Sequence, residues 1–284
     1  MAVTGTALTP GGTTGWNFEK WQRTFEQATY QRQQFIPTID EGDRPYNLLH
    51  IRKHARVSSA VLGQSSDGTG LTYVNIIGTP VTLTPVGSTV PVAWSENEDA
   101  QLDVSVDPEA RGDIEQALAE STESTQLANV ASLTQIMSQA GVDGPMFRQA
   151  YGRLMGNTNG VAAPGEEPQV YGIFSHTQYP NLGTIPEFNA ADVRGDNESP
   201  YVKGIWMKGG GVKLLLTTVV QQDANGWHNC LYIPSAFVVA WNVRSRLKKH
   251  DVELQYRLIG YNNVGGAVKN DLRALDLRTT GSAL

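Results

Sequence analysis

His228 and Cys230 stand two residues apart, which on a strand places an imidazole and a thiol on one face. Such a pair is the raw material of a thiolate nucleophile, but no visible third group orients the imidazole. As metal ligands they are too few for zinc, which takes four, and His50, His54, His176 and His250 are scattered. A packed cysteine beside a hydrogen-bonded histidine is the reading that fits. Gly204 and Gly209 have the separation of a phosphate-binding loop, yet Gly210 and Gly211 stand where its lysine and hydroxyl belong. A tight turn or bulge fits that glycine run better than a nucleotide site. Asp99, Asp103, Asp107 and Asp113 lack the close alternation of oxygen ligands and the glycine of a calcium loop. Arg-Gly-Asp occurs at Arg111, inside a helical pattern, and again at Arg194, in a loop pattern. No G-x-S-x-G elbow is present. The expectation is a protein with no catalytic residue, no cofactor and no metal.

Composition narrows the class further. The 284 residues are 40% hydrophobic and 18% charged, enough chain to bury a substantial core beneath a weakly charged surface. A net charge of −6 gives no global attraction to nucleic acid. One cysteine excludes an intrachain disulfide framework and implies assembly in a reducing cytoplasm. No apolar run approaches the ~20 residues that cross a bilayer, so no membrane partner is expected. The opening MAVTGTALTPGGTTG has neither the basic flank nor the apolar core of a secretory signal, and reads as a Gly/Thr arm.

The elements show where so little chemistry would be placed. Asn17 can cap a short helix on which Phe18, Trp21, Phe25 and Ala28 recur at three- and four-residue steps. That aromatic face packs on its own domain or docks on another subunit. Two β-rich runs, NLLHIRKHARVSSAVLG and LTYVNIIGTPVTLTP, flank the turn cluster QSSDGTG and predict a long hairpin with its tip near residues 65–70. The first run carries Arg52, Lys53, His54 and Arg56, whereas residues 96–123 hold ten acids against the single Arg111. This split invites a contact between a basic hairpin and an acidic helix of neighbouring subunits, with Glu115, Glu120 and Glu123 on the acidic side.

The helix itself is legible from Asp107, a good N-cap, through Pro108 in the first turn to Leu133, a rod of roughly 39 Å at ~1.5 Å per residue. Its packing face is expected to follow Ala110, Ile114, Ala117, Leu118, Ser121, Thr125 and Ala128. A second helix starts at Asp143, with Met146, Phe147, Ala150, Tyr151 and Leu154 on one side. PQVYGIFSH reads as a buried strand, residues 177–200 as mostly loop, and VKGIWMKGGGVKLLLTTVV as strands around a glycine kink. HNCLYIPSAFVVAWNVRSRL reads as a strand entering an apolar helix near Pro234. The tail reads as antiparallel strands about an Asn/Gly turn.

The order of these segments resembles the major capsid proteins of tailed bacteriophages, the Hong Kong 97-type coat fold, an α+β architecture. VTLTPVGSTVPVAWSENEDAQLD followed by IEQALAES resembles that family's passage from strand to spine helix. HNCLYIPSAFVVAWNV is similar to the strand and helix that follow its axial-domain sheet, and IGYNNVGGAVKNDLRALDLRTT to its C-terminal closure. The resemblance implies an N-terminal arm over 1–45, an extended hairpin loop over 46–95, and a peripheral domain with the spine helix over 96–140. An axial domain over 141–247 and returning peripheral strands over 248–284 complete it.

It also implies self-assembly into pentamers and hexamers of an icosahedral shell around double-stranded DNA held by weak, non-specific contact. A separate scaffolding protein, a portal and a decoration protein are the further partners implied, with assembly in the host bacterial cytoplasm. Residues 60–72 contain no lysine, which speaks against the hairpin crosslink some relatives form. Phe18, Trp21, Phe25, Arg52, Lys53, Arg56, Glu115, Glu120 and Glu123 are the expected intersubunit contacts. An encapsulin-like compartment and a β-rich tail or adhesion protein are the alternatives.

Overall fold

The computed structural model describes residues 13–42, 49–52, 80–95, 106–157, 169–185, 205–206, 212–252 and 255–280, with backbone alone at 13–21, 49–52, 80, 106, 205–206 and 250–252. In chain order the elements begin with α1 (Thr13–Gln31), β1 (Asp40–Glu41), β2 (Leu49–Arg52), β3 (Pro80–Leu83), β4 (Val86–Ser95) and α2 (Val106–Leu127). Next come β5 (Ile136–Gln139), α3 (Gly144–Asn157), β6 (Val170–Ser175), α4 (Tyr179–Gly183), β7 (Ile205–Trp206), β8 (Val212–Thr217) and β9 (Gln222–Asp223). The chain closes with β10 (Gly226–Tyr232), β11 (Phe237–Val252), β12 (Gln255–Val268) and β13 (Ala274–Thr279).

β-branched and aromatic residues dominate β11 and β12, and these two long strands pair antiparallel as the centre of a four-stranded sheet ordered β1-β11-β12-β4. Strict alternation along β12 buries Leu258, Gly260, Asn262 and Val264 on one face. There α2 lies across the sheet, and α1 packs on both β11 and α2. The seam between them is filled by Phe25, Trp94, Ala110, Ile114, Leu118, Leu247 and Leu258. Gly260 is required at this crossing, because a Cβ there would collide with Ile114 and Leu118.

The second sheet is seven-stranded, ordered β5-β13-β10-β6-β8-β7 with β9 folded back on β10. Helix α3 covers it, its period placing Met146, Phe147, Ala150 and Leu154 against Phe174, Leu231, Leu275 and Leu277. Asp143 caps that helix, its Oδ1 accepting from Met146 N at 2.8 Å. The two sheets meet through an aromatic triad. Phe35, Tyr232 and Phe237 hold ring centroids 5.2–5.6 Å apart in edge-to-face contacts.

Several expectations are met: the two sides of the hairpin pair antiparallel from Leu49↔Leu83 to Arg52↔Pro80, while residues 53–79, with the expected tip, lie outside the described residues. The buried strand at 170–175 and the strand pair β7–β8 also form, the glycine run between them being outside the described residues. Others are corrected. The apolar helix expected after Pro234 is a single 3-10 turn, Pro234–Ala236, followed by the 16-residue strand β11. The run FVVAWNV has no polar helical face and is rich in β-formers, so it serves as a strand buried within a sheet. Nor is there a turn at Asn262–Gly266, because β12 runs straight through it. Gly265 and Gly266 are thin points where a Cβ would press on the Thr84–Pro85 backbone and on the Gln126 side chain.

Asn17 lies inside α1 rather than capping it. Asp107 lies in the first turn of α2, which becomes 3-10 after Leu127 and ends at Ser132. The loop expected from 177 holds a 3-10 turn and α4 before residue 186. The segment boundaries at 140/141 and 247/248 do not follow the sheets. β5 belongs with β13 in the second sheet, β11 crosses the later boundary unbroken, and β13 leaves the sheet of β12.

Candidate assembly surfaces

Among the described residues, chemistry-bearing groups concentrate at β10 and β13. His228 is buried between two carboxylates, with Nδ1 3.0 Å from Asp276 Oδ2 and Nε2 3.2 Å from Asp223 Oδ2. The sequence pattern missed the orienting partner because Asp276 is 48 residues away and arrives through the antiparallel register of β10 and β13. Arg278 Nε reaches the same Asp276 oxygen at 2.8 Å. Asp223 is held below the usual carboxylate range, chiefly by the Asn225 side chain. Cys230 is fully buried, and burial, reinforced by the charge of Asp276, pushes its thiol well above the ordinary value. A thiol so placed stays protonated and is no nucleophile. Among the described residues no three or more His, Cys, Asp or Glu side chains are placed so that they could hold a metal ion. This cluster is a buried ionic clasp between strands, the packed pair the sequence implied.

The expected contact residues separate into three kinds. Phe25 is completely buried within the chain, against α2 and β11. Glu115 and Glu123 are also internal. Glu115 pairs with Arg111 at 3.1 Å and Arg32 at 3.5 Å, while Glu123 Oε1 accepts from Gln34 N and, at 2.5 Å, from Phe35 N. Glu123 thereby ties α2 to the turn that leaves α1, and burial raises its pKa despite those backbone donors. Glu120 alone of the three is exposed, taking a 2.9 Å bond from Gln116 Nε2. Phe18 and Trp21 lie in α1 and Arg52 in β2, by backbone only; Lys53 and Arg56 are outside the described residues.

The reason for the mismatch is that α2 has two buried faces. The sheet takes Ile114, Leu118 and Thr122, whose hydroxyl accepts from Asn262 Nδ2 at 2.8 Å. The turn after α1 takes Glu123. Ser121 and Ala128, expected in the packing face, are exposed, and Glu109, Asp113, Gln116 and Glu120 form the solvent stripe. On the sheet, Arg244, Arg246, Lys248, Lys249 and Arg257 are exposed. The chain thus presents an acidic helix and a basic strand pair, two surfaces of opposite charge suited to meeting other molecules.

A cleft of about 310 Å³ opens between α1 and β11, lined by Arg23, Glu26, Gln27, Tyr30, Gln33, Trp241, Arg244 and Ser245. Arg244 bridges Glu26 at 3.4 Å and Glu41 at 2.5 Å across it. One turn along, Gln22 stitches helix to strand: its amide donates to Leu247 O, and its Oε1 accepts from Leu247 N at 3.1 Å.

No protein-family model and no curated protein matches the sequence. Solved structures do match. The capsid of Ralstonia phage GP4 superposes with a TM-score of 0.67 at 10% identity, over 89% of this chain and 92% of that one. The capsid of the cyanophage P-SCSP1u gives 0.64 at 13% identity, over 86% and 87% of the two chains. A virus-like particle from Pyrococcus furiosus gives 0.59 at 14% identity, over 92% and 99%. Agreement of this extent means that the chain has the α+β Hong Kong 97-type fold of phage capsid proteins.

Proposed function

We propose that this protein is the major capsid protein of a tailed phage, assembling into pentamers and hexamers of an icosahedral shell that encloses double-stranded DNA. The observation that carries the reading is the end-to-end match to phage capsid chains over most of both partners' lengths. The first sheet with α1 and α2 acts as the peripheral domain, and the second sheet with α3 as the axial domain. The hairpin begun by β2 and β3 is the extended loop.

The work done is assembly rather than catalysis. Contacts between copies form through the start of α1, at Phe18 and Trp21, and through the basic hairpin residues Arg52, Lys53 and Arg56. Their acidic counterpart is the Glu109, Asp113 and Glu120 stripe, with Glu115 and Glu123 holding α2 in place from within. DNA contact is weak and non-specific, in keeping with a net charge of −6. A separate scaffolding protein, a portal and a decoration protein complete a virion assembled in the bacterial cytoplasm. No helix among the described residues is long and apolar enough to cross a membrane. Electron microscopy of the expressed chain with its scaffold tests the reading: closed shells support it, and tubes, fibres or persistent monomers overturn it.

A further inference from the structure

Alternation along β11 and β12 turns Leu247, Leu258 and Gly260 toward α2 and leaves Arg246, Lys248 and Arg257 on the opposite face of the first sheet. All three are exposed, and none meets a carboxylate among the described residues. Register sets the exposed Thr89, Pro91 and Ala93 beside them, and neither β4 nor β12 contains an acid. This stretch of the face carries charge of one sign.

The solvent stripe of α2 matches it in spacing and opposes it in sign. Glu109, Asp113 and Glu120 fall within about 40° of one another around the helix and span about 17 Å along it. Arg246 and Lys248 are one strand repeat apart, and Arg257 stands opposite His250, one repeat further on the next strand, a run of about 14 Å. Arg111, the only cation of α2, lies on the other side of the helix and pairs with Glu115. Because Ile114 and Leu118 fasten α2 to the far face of the sheet, stripe and basic face point in opposite directions. One chain cannot join them. Two can, head to tail, which is the kind of contact that closes rings.

We propose that the basic face of β11 and β12 receives the acidic stripe of α2 from a second copy of this chain, around each pentamer and hexamer. Glu109 meets Arg246, Asp113 meets Lys248 and Glu120 meets Arg257. The inference rests on the shell reading and adds the sheet to the hairpin as what the stripe meets.

All six side chains are exposed, so reversing them should leave circular dichroism and melting temperature close to wild type. Arg246, Lys248 and Arg257 changed together to glutamate should raise the protein concentration needed for particles roughly tenfold, as three lost exposed ion pairs imply. Adding Glu109, Asp113 and Glu120 to lysine in the same chain should restore it. Charge reversal is not the only readout. Asp113→Cys with Lys248→Cys, treated with a short bis-maleimide in assembled particles, should give a ladder of linked chains up to six. Cys230, fully buried, stays out of that reaction. A base-reversed chain that assembles at the wild-type concentration overturns the inference and leaves the shell reading intact, whether or not it encloses less DNA. A sixfold swap no better than either triple, or particles that yield no linked chains, does the same. A wild-type chain that forms no closed particles defeats the shell reading, and the inference with it.

Discussion

Glu123 is the residue whose role changes most between sequence and structure. In the linear pattern it is one acid among ten in residues 96–123; in three dimensions its carboxylate receives the backbone of Gln34 and Phe35. Glu123→Ala takes the acceptor from the buried Phe35 N–H and the half-buried Gln34 N–H and is expected to cost about 1–3 kcal/mol, read as a lower denaturation midpoint. Glu123→Gln keeps the acceptor and removes the titration. Because burial raises the carboxyl above its ordinary 4.5, the native state holds a proton there that the unfolded chain has released. Its contribution to stability is therefore full below pH about 4.5 and declines as pH rises through the raised value. The stability of wild type minus that of Glu123→Gln should fall across that window and then level. A flat difference would show that the carboxyl titrates alike in both states. Cys230 makes a simpler expectation: buried and held protonated, it should resist thiol reagents until the protein unfolds.

At the level of elements, the crossing of α2 over β12 depends on Gly260. Gly260→Ala places a methyl against Ile114 and Leu118 and should cost about 1–3 kcal/mol, seen in thermal melting. A variant as stable as wild type would mean the helix can lift without loss. Elements with a local signature were legible in the sequence. The start at Asp143 and the apolar period announced α3, and β-branched density announced β6 and the hairpin strands. What failed was whatever depends on neighbours. β11 looked helical because an apolar run without alternation fits a buried helix or a buried strand equally well. The glycines of β12 looked like a turn because the Thr84–Pro85 backbone and Gln126 that exclude a Cβ come from elsewhere in the chain. The buried carboxylates of α2 could not be told from exposed ones until the turn after α1 was in place. Likewise the His228–Asp276 pair depends on strand register, which spacing along the chain does not encode.

For the whole molecule, the order of segments carried more information than any motif. A strand running into a long helix, a mixed middle and a return of strands make up a fold that this chain shares with phage structures at 10–15% identity to it. It survives because the constraint lies in burying two sheets against shared helices rather than in particular side chains. The subunit surface divides into an acidic helix stripe and a basic strand pair, so assembly is expected to be sensitive to salt. Reversing Glu109, Asp113 and Glu120 to lysine together should leave the subunit folded by circular dichroism and reduce particle yield severalfold. Unchanged yield would remove that stripe from the contacts. The most direct test of the central claim is electron microscopy of particles made by the wild-type chain with its scaffold. The account predicts closed icosahedral shells built of pentamers and hexamers, and open tubes, fibres or isolated subunits would contradict it.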